Sequence, residues 1–350
     1  MKKSIFVALI FFTGIINVSG QSDYAGEWNE VESFVKKGLP QSALKLVEQI
    51  FASSKAENNA PQFLKAAIYK ISLQSQYQED FMENGLNLIL REIETAQEPA
   101  KQILHSVVAE LYWRYYQSNR YLFMDRTTVS EPDPGDIKTW DVAALVRAVH
   151  RHYLESLENP QILQQTELGL FDPILEQEKG SRVYRPSLYD FLAHRALDFF
   201  MNEETGLTLP TETFNINKKE CFLPAAEFAG IMLDAPGNNA FKLEALKILR
   251  ELIRFHLNDA DPAALIDADL KRLKFVEGNA VMPERYDLFL GALQNLQNAH
   301  PTHPNSTDAA YEIALEYLRR GAQYNPFISE DYRWDIKNAK ETCDKALASF

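Results

Sequence analysis

Apolar residues recur along this chain at helical spacings of three and four, and strand-like alternation is almost absent, which restricts it to helices packed on helices. The first such stretch, 24–37, places Trp28, Val31, Phe34 and Val35 on one face. Gly38-Leu39-Pro40 then supplies a stop and a restart: glycine ends one helix and proline opens the next. Residues 42–53 present Leu44, Val47, Ile50 and Phe51, Asn58-Asn59-Ala60-Pro61 starts a third helix running to 75, and 80–97 reads as a fourth. The fifth, 99–116, is strongly apolar and aromatic, with Ile103, Leu104, Val107, Val108, Leu111, Tyr112 and Tyr115.

Helix pairs therefore begin near 27, 61 and 99, a period of 34–38 residues. That is the length of a tetratricopeptide-type hairpin, which buries its apolar face only by stacking on neighbours. The expected fold is all-α: stacked helical hairpins in a tetratricopeptide-like solenoid or superhelix. Helices resume at 141–157, around 162, and at 187–201. After Pro224 they return at 224–232, 238–257, 261–273, 283–299, 305–321 and 331–348. The acidic loop Glu131-Pro132-Asp133-Pro134-Gly135-Asp136 and the polar connections 176–185 and 203–222 divide the array. They suggest a hairpin block at 21–126, a central block with long loops at 127–222 and a C-terminal block at 223–350.

Residues 1–20 stand apart. Lys2 and Lys3 precede an apolar run, 5–16, and Val18-Ser19-Gly20 offers small residues for cleavage, as in a secretory signal peptide. Export to the periplasm or cell surface is expected, with no transmembrane segment in the mature chain. Without those residues the chain holds 34 basic and 49 acidic side chains, a net −15 that argues against nucleic-acid partners. Cys221 and Cys343, the two cysteines, could pair in an oxidising compartment, but no disulfide-stapled scaffold is present.

The segment 186–200 gathers Tyr189, Asp190, His194, Arg195 and Asp198. At 100° per residue, Leu188, Phe191, Leu192, Ala196 and Phe199 share one arc, and Asp190, His194 and Asp198 form an i, i+4, i+8 row opposite. A carboxylate beside an imidazole suits acid–base work, but no nucleophile accompanies the pair, and the expectation is a solvated face. Arg195 projects toward the apolar arc, so a structural tie to a neighbouring helix is expected. Trp140, after the acidic loop, is read as structural.

His150 and His152 diverge by about 200° on a helix and do not converge on one ion. His300 and His303 lie in a loop without a third ligand, and the four aspartates in 259–269 lack the glycine and glutamate of a calcium loop. They read as capping and solvation around Pro262. No Gly-rich phosphate loop, nucleophile elbow or Cys-x-x-Cys occurs. Trp113, Tyr116 and Tyr121 could form a stacking surface for a partner or a sugar, although their helical spacing favours packing. No metal, cofactor or catalytic set is expected.

Several stretches resemble the N-terminal helical region of alpha-2-macroglobulin-like proteins of Bacteroidetes. They are Glu27-Trp28-Asn29-Glu30-Val31, Leu39-Pro40-x-Ser42-Ala43-Leu44, Ile103-Leu104-His105-Ser106 and Glu110-Leu111-Tyr112-Trp113. Asp136-Ile137-x-Thr139-Trp140-Asp141 and the run from Leu188 to Phe200 carry the resemblance most strongly. It extends over most of 20–350 and rests on helix-packing motifs. It implies a helical segment ahead of β-sandwich domains that trap proteases, with macroglobulin domains or proteases as partners. The thioester sequence Gly-Cys-Gly-Glu-Gln is absent, and the helical pattern runs up to Phe350, as expected of a piece of a longer polypeptide.

The functional expectation is thus an exported, non-enzymatic interaction or scaffold module. A helical glycan-binding protein of the nutrient-uptake type and, further off, an α/α-toroid carbohydrate-active enzyme are the rivals.

Overall fold

A computed structural model describes residues 24–123, 136–202, 204, 214–233 and 241–349. The signal-peptide segment 1–20, most of the acidic loop and much of 203–213 lie outside the described residues. Among the described residues the protein is all-α, built of helices that pack on their sequence neighbours. The chain divides into two compact units between Tyr77 and Gln78.

The first unit holds α1 (Tyr24–Lys36), α2 (Pro40–Ala56) and α3 (Ala60–Gln74). Gly38 adopts φ +70, the left-handed conformation that glycine enters without strain, and Pro40 follows within two residues to start α2. Asn59 caps α3 by accepting from the Gln62 amide. The helices enclose Trp28, Val31, Ala43, Val47, Ile50, Ala66 and Leu73. Trp28 donates its indole N–H to Gln62 Oε1 at 2.7 Å and carries the Lys65 ammonium 4.1 Å above its ring. Val35, expected on the buried face of α1, is exposed.

Among the described residues the second unit contains nine long helices: α4 (Phe81–Thr95), α5 (Ala100–Ser118), α6 (Val142–Glu155), α7 (Leu188–Phe200), α8 (Phe241–His256), α9 (Ala263–Asn279), α10 (Arg285–Ala299), α11 (Ser306–Gly321) and α12 (Asp335–Ser349). The expected boundaries at 126/127 and 222/223 run through its interior: α5 packs on α6 and α7 across the first, and α7 on α8 across the second. Neighbours pair from α8 to α12 in order, through short connections up to α11 and a longer one, 322–334, before α12. At the last turn, a Cβ on Gly321 would lie 2.7 Å from Ile336 Cγ1 and 3.0 Å from the Ile336 amide. Glycine there lets the end of α11 meet the start of α12.

The polar connection 176–185 crosses over other elements. Arg185 bonds Asp267 on α9 at 2.8 Å, and the Tyr184 hydroxyl reaches Asn305 ahead of α11. The expected helix 224–232 is one turn, Ala225–Phe228, whereas α9 continues to Asn279, past the expected end at 273.

Candidate functional site

Among the described residues, helix α7 packs against α5, α6, α8 and the short helix Pro160–Gln165. It is therefore buried nearly all round, and the polar row expected to face water does not. Asp190 and His194 are buried, and only Asp198, with its side chain 76% exposed, reaches solvent. Ser187 and Asp190 make a capping box, each side chain accepting from the other's backbone N–H, and the Ser187 hydroxyl donates to Asp190 Oδ2 at 2.6 Å.

Asp190 Oδ1 lies 2.6 Å from His256 Nε2 at the end of α8, and His256 Nδ1 lies 2.6 Å from Asp259 Oδ2. Burial works against a charge on His256, but Asp190 and then Asp259 outweigh it, so its pKa is raised. Both ring nitrogens are committed to carboxylates and the residue is 1% exposed. A general base needs a nitrogen free to reach a substrate proton, and His256 offers none. The Ser–Asp–His–Asp chain ties α7 to α8 and is structural.

His194 sits 3.3 Å from Lys271 on α9, which also contacts Asp198. Burial, with Arg185, Lys271 and His256 adding to it, lowers the His194 pKa to about 2. A histidine depressed in the fold contributes stability above the unfolded pKa that is lost as pH falls. Between pH 7 and pH 5 this amounts to about 2 kcal/mol for an unfolded pKa near 6.5. His194→Gln should remove that share of the acid sensitivity. The check is denaturant melts of the wild type and variant at the two pH values.

Arg195 reaches α5, donating from Nε to Ser106 Oγ at 2.9 Å, with Nη2 3.7 Å from Glu110. Glu110 also accepts from the Tyr153 hydroxyl of α6. The guanidinium thus joins three helices. Trp140 is buried and stacks on Tyr112 at 5.2 Å.

Trp113, Tyr116 and Tyr121 do not share a surface, and two of them show the packing that their helical spacing favours. Trp113 and Tyr116 are buried, Trp113 packing edge-on against Phe199, and Tyr121 alone of the three is exposed. A core of Trp113, Tyr153, Phe199, Phe200 and Phe241 absorbs these rings because α7 is surrounded. Trp113 and Tyr116 are therefore not open for a sugar to stack on. Both cysteines carry free thiols, Cys221 buried and Cys343 exposed on α12.

Asp269, read as solvating, is buried against Arg272, whose Nη2 is 2.6 Å away. Arg272 has no exposure and donates to the carbonyls of Cys221 (2.6 Å) and Leu223 (2.9 Å) while lying 4.3 Å over Phe228. It pins the α7–α8 connection to α9. Asp261 caps the Ala263 amide and meets His303.

One cluster escaped the sequence reading. His105 on α5 and His152 on α6 bring their Nδ1 atoms within 2.8 Å, and Glu155 Oε2 lies 3.0 and 3.2 Å from them. Burial first, then neighbouring charge, lowers His105 to about 4 and His152 to about 3. His150 and His152 indeed do not share a partner: His150 packs on Phe200 and Phe241. The partner of His152 comes from another helix, 47 residues away.

The unit also bears exposed apolar side chains. Tyr311, Leu315 and Leu318 on α11 are 60%, 40% and 46% exposed, and Phe327, Ile328 and Trp334 in the next connection are open to solvent. No family model, curated protein or solved structure matches this chain. Among the described residues no helix is long and apolar enough to cross a membrane.

Proposed function

We propose that this chain is a non-enzymatic helical interaction module that docks a protein partner on the outer face of α11. The observation that carries this reading is the stripe Tyr311, Leu315 and Leu318, spaced i, i+4, i+7 on the solvent side of a helix. The inner side of the same helix is already satisfied by Ala310, Ile313 and Ala314 in the core. Such spacing is the anchor pattern of helix-in-groove recognition. A contiguous exposed apolar strip is a common mark of an interaction site.

The acidic balance favours a partner with a basic rim. The saturated Asp190–His256–Asp259 chain supports the non-enzymatic part of the reading. The basic–apolar leader and the resemblance extend it: an exported protein of the periplasm or cell surface, and the N-terminal helical part of a macroglobulin-like, protease-trapping protein. Its partners would then be macroglobulin domains or a captured protease.

The test replaces Leu315 by a photo-crosslinking amino acid in the full chain expressed in its own host, with exposed Glu178 as the control position. A defined covalent protein adduct from position 315 and none from 178 is expected. Equal yields from both positions, or turnover of a peptide or glycoside substrate that His194→Ala abolishes, would overturn the proposal.

A further inference from the structure

We propose that His105, His152 and Glu155 bind one divalent transition-metal ion, zinc fitting best, which clamps α5 to α6. The three ligand atoms form a triangle with edges of 2.8, 3.0 and 3.2 Å. An ion with bonds of about 2.0–2.2 Å sits about 1 Å off the plane of such a triangle, and opening the edges by a few tenths of an ångström gives a tetrahedral face. Two imidazoles and one carboxylate are a donor set that suits zinc better than calcium or magnesium, which prefer all-oxygen shells.

Hydrogen bonding alone leaves the cluster short of protons. At a separation of 2.8 Å only one of the two Nδ1 atoms can carry a hydrogen, and the other accepts it, so none is left for Glu155. Glu155 Oε2 is buried and, although 3.0 and 3.2 Å from the two Nδ1 atoms, accepts a hydrogen bond from neither. Gln102, one helical turn before His105 on α5, has its Oε1 buried and unpartnered as well. A buried orphan acceptor costs about 1–3 kcal/mol, and a shared cation satisfies several at once. Gln102 Nε2 donates to the Glu158 carbonyl at 3.4 Å.

The surroundings allow a cation to enter. Both histidines are buried, whereas the Glu155 side chain is 31% exposed and opens the site to solvent and to a water ligand. With a metal on Nδ1, the His152 proton moves to Nε2, which now lies 3.4 Å from Arg151 Nη2. Arg151 must then withdraw, and its side chain, 63% exposed and 3.9 Å from Glu155 Oε1, has room to do so.

The experiment strips the full chain with a chelator and titrates it with zinc alone, read by competition with a chromophoric chelator and by thermal melting. One ion per chain and a rise in melting temperature are expected. Outer-shell partners already matter 10–100-fold, so loss of a ligand in His105→Gln or His152→Gln should weaken binding by about 100-fold or more. Glu155→Gln should weaken it by about tenfold or more. His303→Gln, at the other histidine pair, should bind as the wild type does. Should a variant fail to fold, the visible bands of Co2+ bound to the wild type report a tetrahedral nitrogen–oxygen site independently. No saturable binding, wild-type affinity in His105→Gln, or loss of binding in His303→Gln would overturn the proposal.

Discussion

Arg272→Ala should destabilise the second unit by about 3–5 kcal/mol, the cost of breaking a buried ion pair from one side. Its removal strands Asp269, which is 2% exposed and has no access to water. It also orphans the carbonyls of Cys221 and Leu223, each a further penalty where no water enters. The double variant Arg272→Met with Asp269→Leu should recover a large part of the loss, because an apolar pair of similar volume replaces a buried ion pair at little or no cost. Recovery stays incomplete because the two carbonyls remain unpaired. Urea denaturation of the three proteins measures both values, and equal stability of Arg272→Ala and wild type would remove Arg272 from its role as the pin between the connection and α9.

Asp190→Ala is the second large effect. It deletes half of the capping box that starts α7, worth about 1 kcal/mol, and leaves His256 buried beside a single carboxylate. A total loss of about 3–5 kcal/mol follows from the broken buried pair. The pH dependence identifies the cause. The folded pKa of His256 is raised, so its contribution is fully present below the unfolded histidine pKa and is lost as pH rises through the folded value. The stability advantage of wild type over His256→Gln should therefore be largest near pH 6 and shrink toward pH 9. An advantage that grows with pH would show that His256 is held neutral.

Local features were readable in the amino-acid sequence because they depend on near neighbours. The periodicity located the long helices within a few residues, and Gly38-Leu39-Pro40 marked a turn through glycine's positive φ and proline's fixed one. The surroundings of α7 were not readable. A helix with one buried face should show a solvated row opposite it, but α7 is enclosed by α5, α6 and α8, so Asp190 and His194 are buried with partners from α8 and α9. Arg195 was the local exception, since a charge on the apolar arc demanded a partner, and Ser106 and Glu110 on α5 lie beside it.

The same limit hid the histidine cluster. His105 and His152 are unremarkable in their own helices, and only the pairing of α5 with α6 brings them together. Asp269 reads in the sequence as one of four capping and solvating aspartates, and nothing local to Arg272 marks it as buried. Their burial is set by the returning connection that carries Cys221 and Leu223. The stripe on α11 had a readable signal, since at 100° per residue Tyr311 and Leu315 lie opposite Ala309 and Ile313. Periodicity alone does not tell which of two apolar arcs faces the core.

The interaction reading stands most directly on that stripe. A photo-crosslinker at Tyr311, in the full chain expressed in its own host, should capture a partner protein, and Leu315→Lys with Leu318→Lys in the same chain should lower the adduct yield by about tenfold or more. The melting temperature should hardly change, because exposed substitutions cost within about 0.5 kcal/mol. An adduct yield from Tyr311 that is the same with and without the two lysines would contradict docking on α11.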